Sequence, residues 1–90
     1  MVTLAEENYL KAIFKLTKNG NEAVSTNAIA KELNTKASSV TEMIKKLTEK
    51  ELIVYQPYFG AKLNKVGYST AIEIIRKHRL WEFFLVNKLK

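Results

Sequence analysis

The sequence contains no cysteine, one histidine and one proline among its 90 residues. Without cysteine, the chain can form neither a disulfide nor a thiolate metal site, and this composition agrees with a reducing compartment. The N-terminus lacks a basic segment followed by an apolar run, and no stretch approaches the roughly 18 apolar residues typical of a membrane span. We therefore expect a cytoplasmic protein without a signal peptide or a membrane segment.

The sequence also lacks the patterns that usually support catalysis. It has a single histidine, no glycine-rich phosphate loop, and no pattern that brings a nucleophile, a base and an orienting group together. We therefore predict that the chain is not an enzyme.

What the sequence does contain is an excess of positive charge. Fifteen Lys and Arg residues against nine Asp and Glu residues give a net charge of +6, which favours a polyanionic partner such as nucleic acid. A basic surface that only keeps the protein soluble is the alternative. The hydrophobic fraction of 47% and the charged fraction of 27% are typical of a soluble globular protein, and the length suits one small domain.

Two helices are predicted in the first third of the chain. A capping box, in which Thr3 and Glu6 satisfy each other's backbone amides, begins a helix over residues 4 to 18, and Gly20 lies in the stop signal that follows. Ser25 or Thr26 caps a second, shorter helix. This helix ends at residues 34 and 35, because asparagine tolerates the left-handed conformation of a tight turn.

A third helix, a hairpin and a long last helix are predicted to follow. The third helix carries apolar residues at i, i+3, i+4 and i+7, residues 52–55 and 62–64 form the hairpin around Pro57, and Asn64 caps the last helix. Gly67 in the first turn of that helix indicates close packing. The fold class is mainly α with a small β-hairpin, a winged helix-turn-helix followed by a long C-terminal helix. The predicted apolar positions are Val40, Met43, Ile44 and Leu47 in the third helix, and Val66, Ala71, Ile72, Ile75, Trp81, Phe84 and Leu85 in the last.

This architecture points to binding of double-stranded DNA. The second helix of a helix-turn-helix lies in the major groove, where hydroxyl and methyl groups contact base edges and lysines contact phosphates. A solvated helix face is the ordinary explanation of such a polar surface, and protein-interaction modules also use this fold. The predicted DNA-binding residues are Thr26, Asn27, Lys36, Ala37, Ser38, Ser39, Thr41, Glu42, Lys45, Lys46 and Lys62.

Four segments resemble the iron- and manganese-dependent repressors related to the diphtheria toxin repressor. The segments are ENYLKAI (residues 7–13), SSVTEMIKKL (38–47), YQPY (55–58) and RKHRLWE (76–82). The resemblance implies a homodimeric repressor that binds a palindromic operator when Fe(II) or Mn(II) is present. It further implies that residues 1–63 form the DNA-binding domain and that residues 64–90 form a linking helix at the start of a dimerisation domain.

The resemblance also implies a partial metal site. In the family, a His and a Glu matching His78 and Glu82 are metal ligands, and residues four apart do share a helix face. Nitrogen and oxygen donors without sulfur suit Mn(II) or Fe(II). Asn8 stands where many relatives have a ligand, and Lys11, where manganese-sensing relatives have Glu, cannot ligate while protonated. The remaining ligands would lie beyond residue 90.

Two alternatives remain open at this point. One is a winged-helix regulator without metal control, which metal dependence of operator affinity would distinguish from the metal-dependent repressor. The other is a protein-interaction module that uses the aromatic end of the last helix, at Trp81, Phe83 and Phe84. Such a module would not show the steep salt dependence of binding to duplex DNA that several phosphate-contacting lysines produce.

Overall fold

The computed structural model describes residues 3–17 and 22–89, and from residue 80 onward only the backbone. Within this part of the chain, three helices are followed by a two-stranded antiparallel hairpin and a long fourth helix. This order confirms the predicted winged helix-turn-helix. The elements are α1 (Leu4–Leu16), α2 (Thr26–Leu33), α3 (Ala37–Glu49), β1 (Ile53–Gln56), β2 (Gly60–Leu63) and α4 (Lys65–Leu89).

The helix starts follow the predicted caps. The Thr3 amide donates to Glu6 Oε1 at 2.7 Å, and the Glu6 amide donates to Thr3 Oγ1 at 3.2 Å, so the capping box is present. Ser25, and not Thr26, caps α2 by accepting a hydrogen bond from the Ala28 amide at 3.1 Å. Helix α1 ends at Leu16, earlier than predicted, and the predicted stop at residues 19 and 20 lies outside the described residues.

The turn between α2 and α3 is as tight as predicted. Asn34 has φ 53° and ψ 51°, the left-handed conformation that ends α2 and redirects the chain. Helix α3 then begins after Lys36, whose side chain makes no capping hydrogen bond. The start of α3 therefore depends on the turn and on tertiary packing rather than on a side-chain cap.

The hairpin is joined to the body of the domain by a contact that the sequence analysis missed. Val24 and Ala61 exchange two backbone hydrogen bonds, with N···O distances of 2.7 and 2.9 Å. Gly60 has φ +112°, and a Cβ atom at this position would lie 2.1 Å from the Val24 carbonyl oxygen. Only glycine permits both this conformation and this close approach, so Gly60 fixes the wing against the segment that precedes α2.

The core takes one apolar face from each helix and the inner side of the hairpin. In α3 the predicted stripe is confirmed, since Val40, Ile44 and Leu47 are buried and Met43 is partly buried. The other buried apolar residues are Leu10, Ala12, Ile13, Val24, Ile29, Ala30, Leu52, Ile53, Ala61, Leu63, Ala71 and Ile74.

The predicted face of α4 was wrong at two positions. Val66 is 60% exposed, and Ile74, which was not predicted, is only 4% exposed. The reason is the approach of α4 to the segment between α3 and β1, where a Cβ on Gly67 would lie 1.9 Å from the Leu52 carbonyl oxygen. This contact turns the stripe of Gly67, Ala71 and Ile74 inward and leaves Val66 outside. The predicted apolar residues from Trp81 onward lie where only the backbone is described.

Candidate nucleic-acid interface and metal-ligand positions

The polar face of α3 is available for a partner along its whole length. Every predicted contact residue at the start of α3 and on its outer face is exposed, because the opposite face is buried in the core. The structure therefore presents these side chains together on one helix surface. They are Lys36, Ala37, Ser38, Ser39, Thr41, Glu42, Lys45 and Lys46.

A groove of about 460 Å³ joins α3 to the start of α2 and to the wing strand β1. Thr26, Thr41 and Lys45 line it together with Tyr55, so the structure brings three predicted residues from two helices to one place. The Thr41 hydroxyl donates to the Ala37 carbonyl oxygen at 3.1 Å. Towards a base, Thr41 therefore offers oxygen lone pairs and its methyl group rather than a free donor.

Lys46 lies on a different surface from Lys45. It lines a second groove with Met43 and Lys50, near the N-terminus of α1. Lys45 and Lys46 line different grooves, in agreement with the rotation of about 100° between consecutive residues on a helix. Of the two lysines, Lys45 is the one placed beside the predicted base-contacting residues.

The turn of the wing carries exposed aromatic side chains that sequence reasoning missed. Tyr58 is fully exposed and Phe59 is 70% exposed, and a pocket of about 250 Å³ joins both to Thr26 and Asn27 at the start of α2. In the sequence, this stretch was interpreted as the turn of the hairpin and Tyr58 as part of a family-like segment, and neither aromatic residue was predicted to contact DNA. Two consecutive aromatic residues after Pro57 were the available signal. Lys62, on β2, is half-buried.

His78, the first predicted metal ligand, lies between two charged groups of α1. The Lys11 ammonium is 2.8 Å from His78 Nδ1, and Glu7 Oε1 is 3.9 Å from His78 Nε2. An ammonium group can only donate, so the short contact requires that Nδ1 accept and that Nε2 carry the ring proton. In this arrangement the proton faces the Glu7 carboxylate.

The structure describes no contact between His78 and either of the other two predicted metal ligands. Asn8 is exposed and opens onto a groove of about 490 Å³ that Lys11, Lys15 and Arg79 also line. Glu82 lies on α4 where the structure describes only the backbone. Among the residues with described side chains, no three of His, Cys, Asp and Glu are close enough to hold a metal ion.

An ion pair between a buried carboxylate and an exposed ammonium links the start of α1 to the end of α3. Lys50 Nζ lies 2.7 Å from Glu6 Oε1, and the Glu6 residue is only 2% exposed. The hydrogen bond from Lys50, and next the backbone amide of Thr3, hold the pKa of Glu6 below its usual value. Because Lys50 is the C-cap of α3, this pair fixes the recognition helix against α1.

Comparison with known proteins assigns the chain to a family. The profile of the iron dependent repressor N-terminal DNA binding domain matches residues 1–61. The chain belongs to the iron-dependent repressor family. This confirms the predicted family, and three of the four sequence segments lie within the matched residues. It also confirms the prediction of a DNA-binding protein that is not an enzyme.

Two curated relatives of this repressor-family chain are transcriptional regulators. An HTH-type transcriptional regulator of Methanocaldococcus jannaschii is 40% identical over 83 residues, which cover 92% of this chain and 66% of that protein. The regulator MntR of Listeria welshimeri is 34% identical over 85 residues, which cover 94% of this chain and 59% of that protein. The chain thus spans only part of the length of both regulators.

Solved structures agree with this assignment. ScaR, solved with bound Zn2+, superimposes with a TM-score of 0.77 at 36% identity, over 93% of this chain and 38% of that one. The Staphylococcus aureus MepR–DNA complex gives a TM-score of 0.77 at 20% identity, over 99% of this chain and 66% of that one, and shows a shared fold alone. Among the described residues, no helix has both the length and the apolarity needed to cross a membrane.

Proposed function

We propose that this chain is the DNA-binding part of a cytoplasmic, metal-dependent transcriptional repressor that binds palindromic operator DNA as a homodimer. Residues 1–63 would be the DNA-binding domain, and residues 64–90 would link it to a dimerisation domain. The observation that carries the proposal is the exposed Ser, Thr and Lys face of α3, held by a buried stripe and bordered by the start of α2 and the wing.

In this proposal α3 enters the major groove with its first two turns against the bases. Ser38 and Ser39 would hydrogen-bond base edges, and the methyl group of Thr41 would contact a thymine methyl. Lys45, beside Thr26 in the groove, would contact a phosphate of the same duplex. The remaining proposed contacts are Asn27, Lys36, Ala37, Glu42, Lys46 and Lys62.

The wing would contact the DNA backbone next to α3. Tyr58 and Phe59 share a pocket with Thr26 and Asn27, which lie in the first turn of α2. The backbone amides of this turn would donate hydrogen bonds to a phosphate. Aromatic rings packed against sugars would add an apolar component of affinity that is insensitive to salt. In a homodimer, two such surfaces would meet half-sites about one helical turn apart.

The proposed effector is Fe(II) or Mn(II), and its ligands from this chain would be His78, Glu82 and Asn8. Their nitrogen and oxygen donors fit such a cation, and the related ScaR structure contains Zn2+. The described side chains supply an incomplete set, so further ligands would come from outside the chain. When bound, the cation would supply a positive centre that joins α1 to α4. The DNA-competent arrangement would then be favoured to the extent that it binds the metal better.

A second candidate is a winged-helix regulator of the same operator type without metal control. The observation that favours it is the contact between Lys11 and His78, which links α1 to α4 with a cation of the protein itself. Both candidates use the same DNA-binding surface, and they differ in whether operator affinity depends on metal.

The proposal is tested by fluorescence anisotropy with the full-length protein and duplexes from upstream of its own gene. Titrations with Mn(II), with anaerobic Fe(II) and with chelator would be run at several salt concentrations. Lys45→Ala is expected to lower affinity about tenfold and to reduce the magnitude of the salt slope by about 1. Lys15→Ala, which removes the same charge from the groove between α1 and α2, is the matched control and should change neither quantity.

The outcomes separate the candidates. Tight binding that requires metal and weakens in His78→Ala supports the metal-dependent repressor. Equal binding in chelator supports the regulator without metal control. If no duplex is bound under any condition, the proposed DNA surface is wrong and the protein-interaction module becomes the leading hypothesis.

A further inference from the structure

Lys11 lies on the face of α1 that contacts α4. Its ammonium is directed at α4, where Nζ lies 2.8 Å from His78 Nδ1, and Lys11 is itself half-buried. Glu7, one turn earlier on the same face of α1, lies on the other side of the imidazole, 3.9 Å from Nε2. The ring is therefore held between a cation and a carboxylate that both belong to α1.

In this arrangement, the hydrogen bond from Lys11 occupies the imidazole lone pair that a metal ion would need. A neutral imidazole has one nitrogen that accepts and one that carries a proton. With Lys11 donating to Nδ1, the lone pair is taken and the proton on Nε2 faces Glu7. A metal ion at Nδ1 would have to displace Lys11.

Lys11 would also oppose a metal ion that binds at Nε2. Metal binding at Nε2 requires that the ring proton move to Nδ1, and an N–H group cannot accept a hydrogen bond from an ammonium. Lys11 would then face a donor and a divalent cation across one ring, where like charges repel. The ammonium opposes metal binding at either nitrogen.

We propose that Lys11 is a built-in competitor of the metal ion at His78. Its ammonium stands in for the metal cation between α1 and α4 and must leave before His78 can act as a ligand. This inference rests on the proposed metal effector. It implies that the protein responds only at metal concentrations high enough to displace Lys11.

The test is direct metal binding to the full-length protein. Lys11→Met keeps most of the length and the apolar stem of the side chain while it removes the charge. Lys15→Met is the matched control, because it removes the same charge one turn further along α1, where Lys15 pairs with Glu32 at 3.1 Å. Mn(II) affinity would be measured from the electron paramagnetic resonance signal of free Mn(II), with His78→Ala identifying the site.

We expect Lys11→Met to bind Mn(II) about tenfold more tightly or better, because a charge-assisted hydrogen bond no longer has to be broken. Lys15→Met should change the affinity by less than about twofold, since its charge is exposed and paired. A second readout needs no metal. The 15N chemical shifts of His78 in the metal-free wild-type protein should report the Nε2–H tautomer.

Three results would overturn the proposal in distinguishable ways. If wild type and Lys11→Met bind Mn(II) with equal affinity and His78→Ala does not bind it, Lys11 is not a competitor of the metal ion. The proposed metal effector is then still supported. If neither wild type nor any variant binds Mn(II), both the proposed competitor and the proposed metal effector are wrong. An Nδ1–H tautomer in the metal-free protein would show that Lys11 does not donate to His78, whatever the metal affinity.

Discussion

Helix α1 makes two charged junctions that differ in depth. At its start, the Glu6 carboxylate, with 3% of its side chain exposed, meets Lys50 at the end of α3 at 2.7 Å, and 39% of the Lys50 side chain is exposed. The next residue, Glu7, and Lys11, one turn after it, hold His78 of α4 by one long and one short contact, and 34% of the His78 side chain is exposed. The first junction fixes the recognition helix, and the second leaves its groups within reach of water and ions.

The difference in burial has an energetic consequence. A carboxylate withdrawn from water must remain paired, because breaking the pair leaves a buried charge. Part-exposed groups can exchange one partner for water at little cost. A junction that must stay closed is therefore built like Glu6–Lys50, whereas a junction that must yield to a ligand is built like Lys11–His78.

The largest expected effect comes from breaking the buried junction. Glu6→Ala removes a carboxylate that binds Lys50 and half of the capping box, so we expect a loss of about 1–2 kcal/mol in the free energy of unfolding. Urea denaturation would measure it. The neighbouring Glu7→Ala, on the part-exposed junction, is the control and should cost less than about 1 kcal/mol. Equal losses would contradict the proposed difference between the junctions.

The stability at low pH should show how much of the Glu6 contribution depends on its charge. The pKa of Glu6 is lowered in the folded state, so its contribution is complete above its ordinary value of 4.5 and declines as the pH falls through the lowered value. Wild-type stability should therefore fall more steeply than that of Glu6→Gln between pH 6 and pH 3. Parallel curves for wild type and Glu6→Gln would show that the ion pair contributes nothing through its charge.

These junctions also mark the limit of what the sequence could predict. The capping box, the left-handed Asn34 and the apolar stripe of α3 follow from local spacing, and the structure contains all three. Glu6 and Lys50 are 44 residues apart, and Lys11 and His78 are 67 apart. No local pattern relates such positions, and charged residues on a helix ordinarily indicate a solvated face.

The same limit applies to the wing and to α4. The bridge from Val24 to Ala61 depends on how the hairpin folds back on the body, and the inward turn of Ile74 depends on the approach of Gly67 to Leu52. The sequence pattern predicted where in the chain the hairpin and α4 lie, but it could not predict how they are oriented against the rest of the domain. For the DNA surface, spacing predicted the exposed face of α3, and only the structure separated Lys45 from Lys46.

A smaller effect is expected from the second junction. Lys11→Met should lower the free energy of unfolding in chelator by less than about 1 kcal/mol, because the hydrogen bond to His78 is only part-buried and the methionine retains the apolar stem. Thermal or urea denaturation would measure the change. A loss as large as that of Glu6→Ala would show that Lys11 is a fixed structural element, which a metal ion could not displace at moderate concentration.

The smallest effect should come from the exposed pair between α1 and α2. Lys15 Nζ lies 3.1 Å from Glu32 Oε2, and 71% of the Lys15 side chain is exposed. Lys15→Met should therefore change the free energy of unfolding by less than about 0.5 kcal/mol, in the same denaturation experiment. This value is the baseline for a charged contact on α1 that neither fixes a helix nor holds a ligand position. If Lys11→Met costs little more than this baseline yet raises metal affinity, the contact with His78 is a replaceable one, as a competitor requires. If Lys15→Met lowers the free energy of unfolding more than Lys11→Met does, solvent exposure does not determine the strength of these charged contacts. The proposed difference between the two junctions would then be wrong.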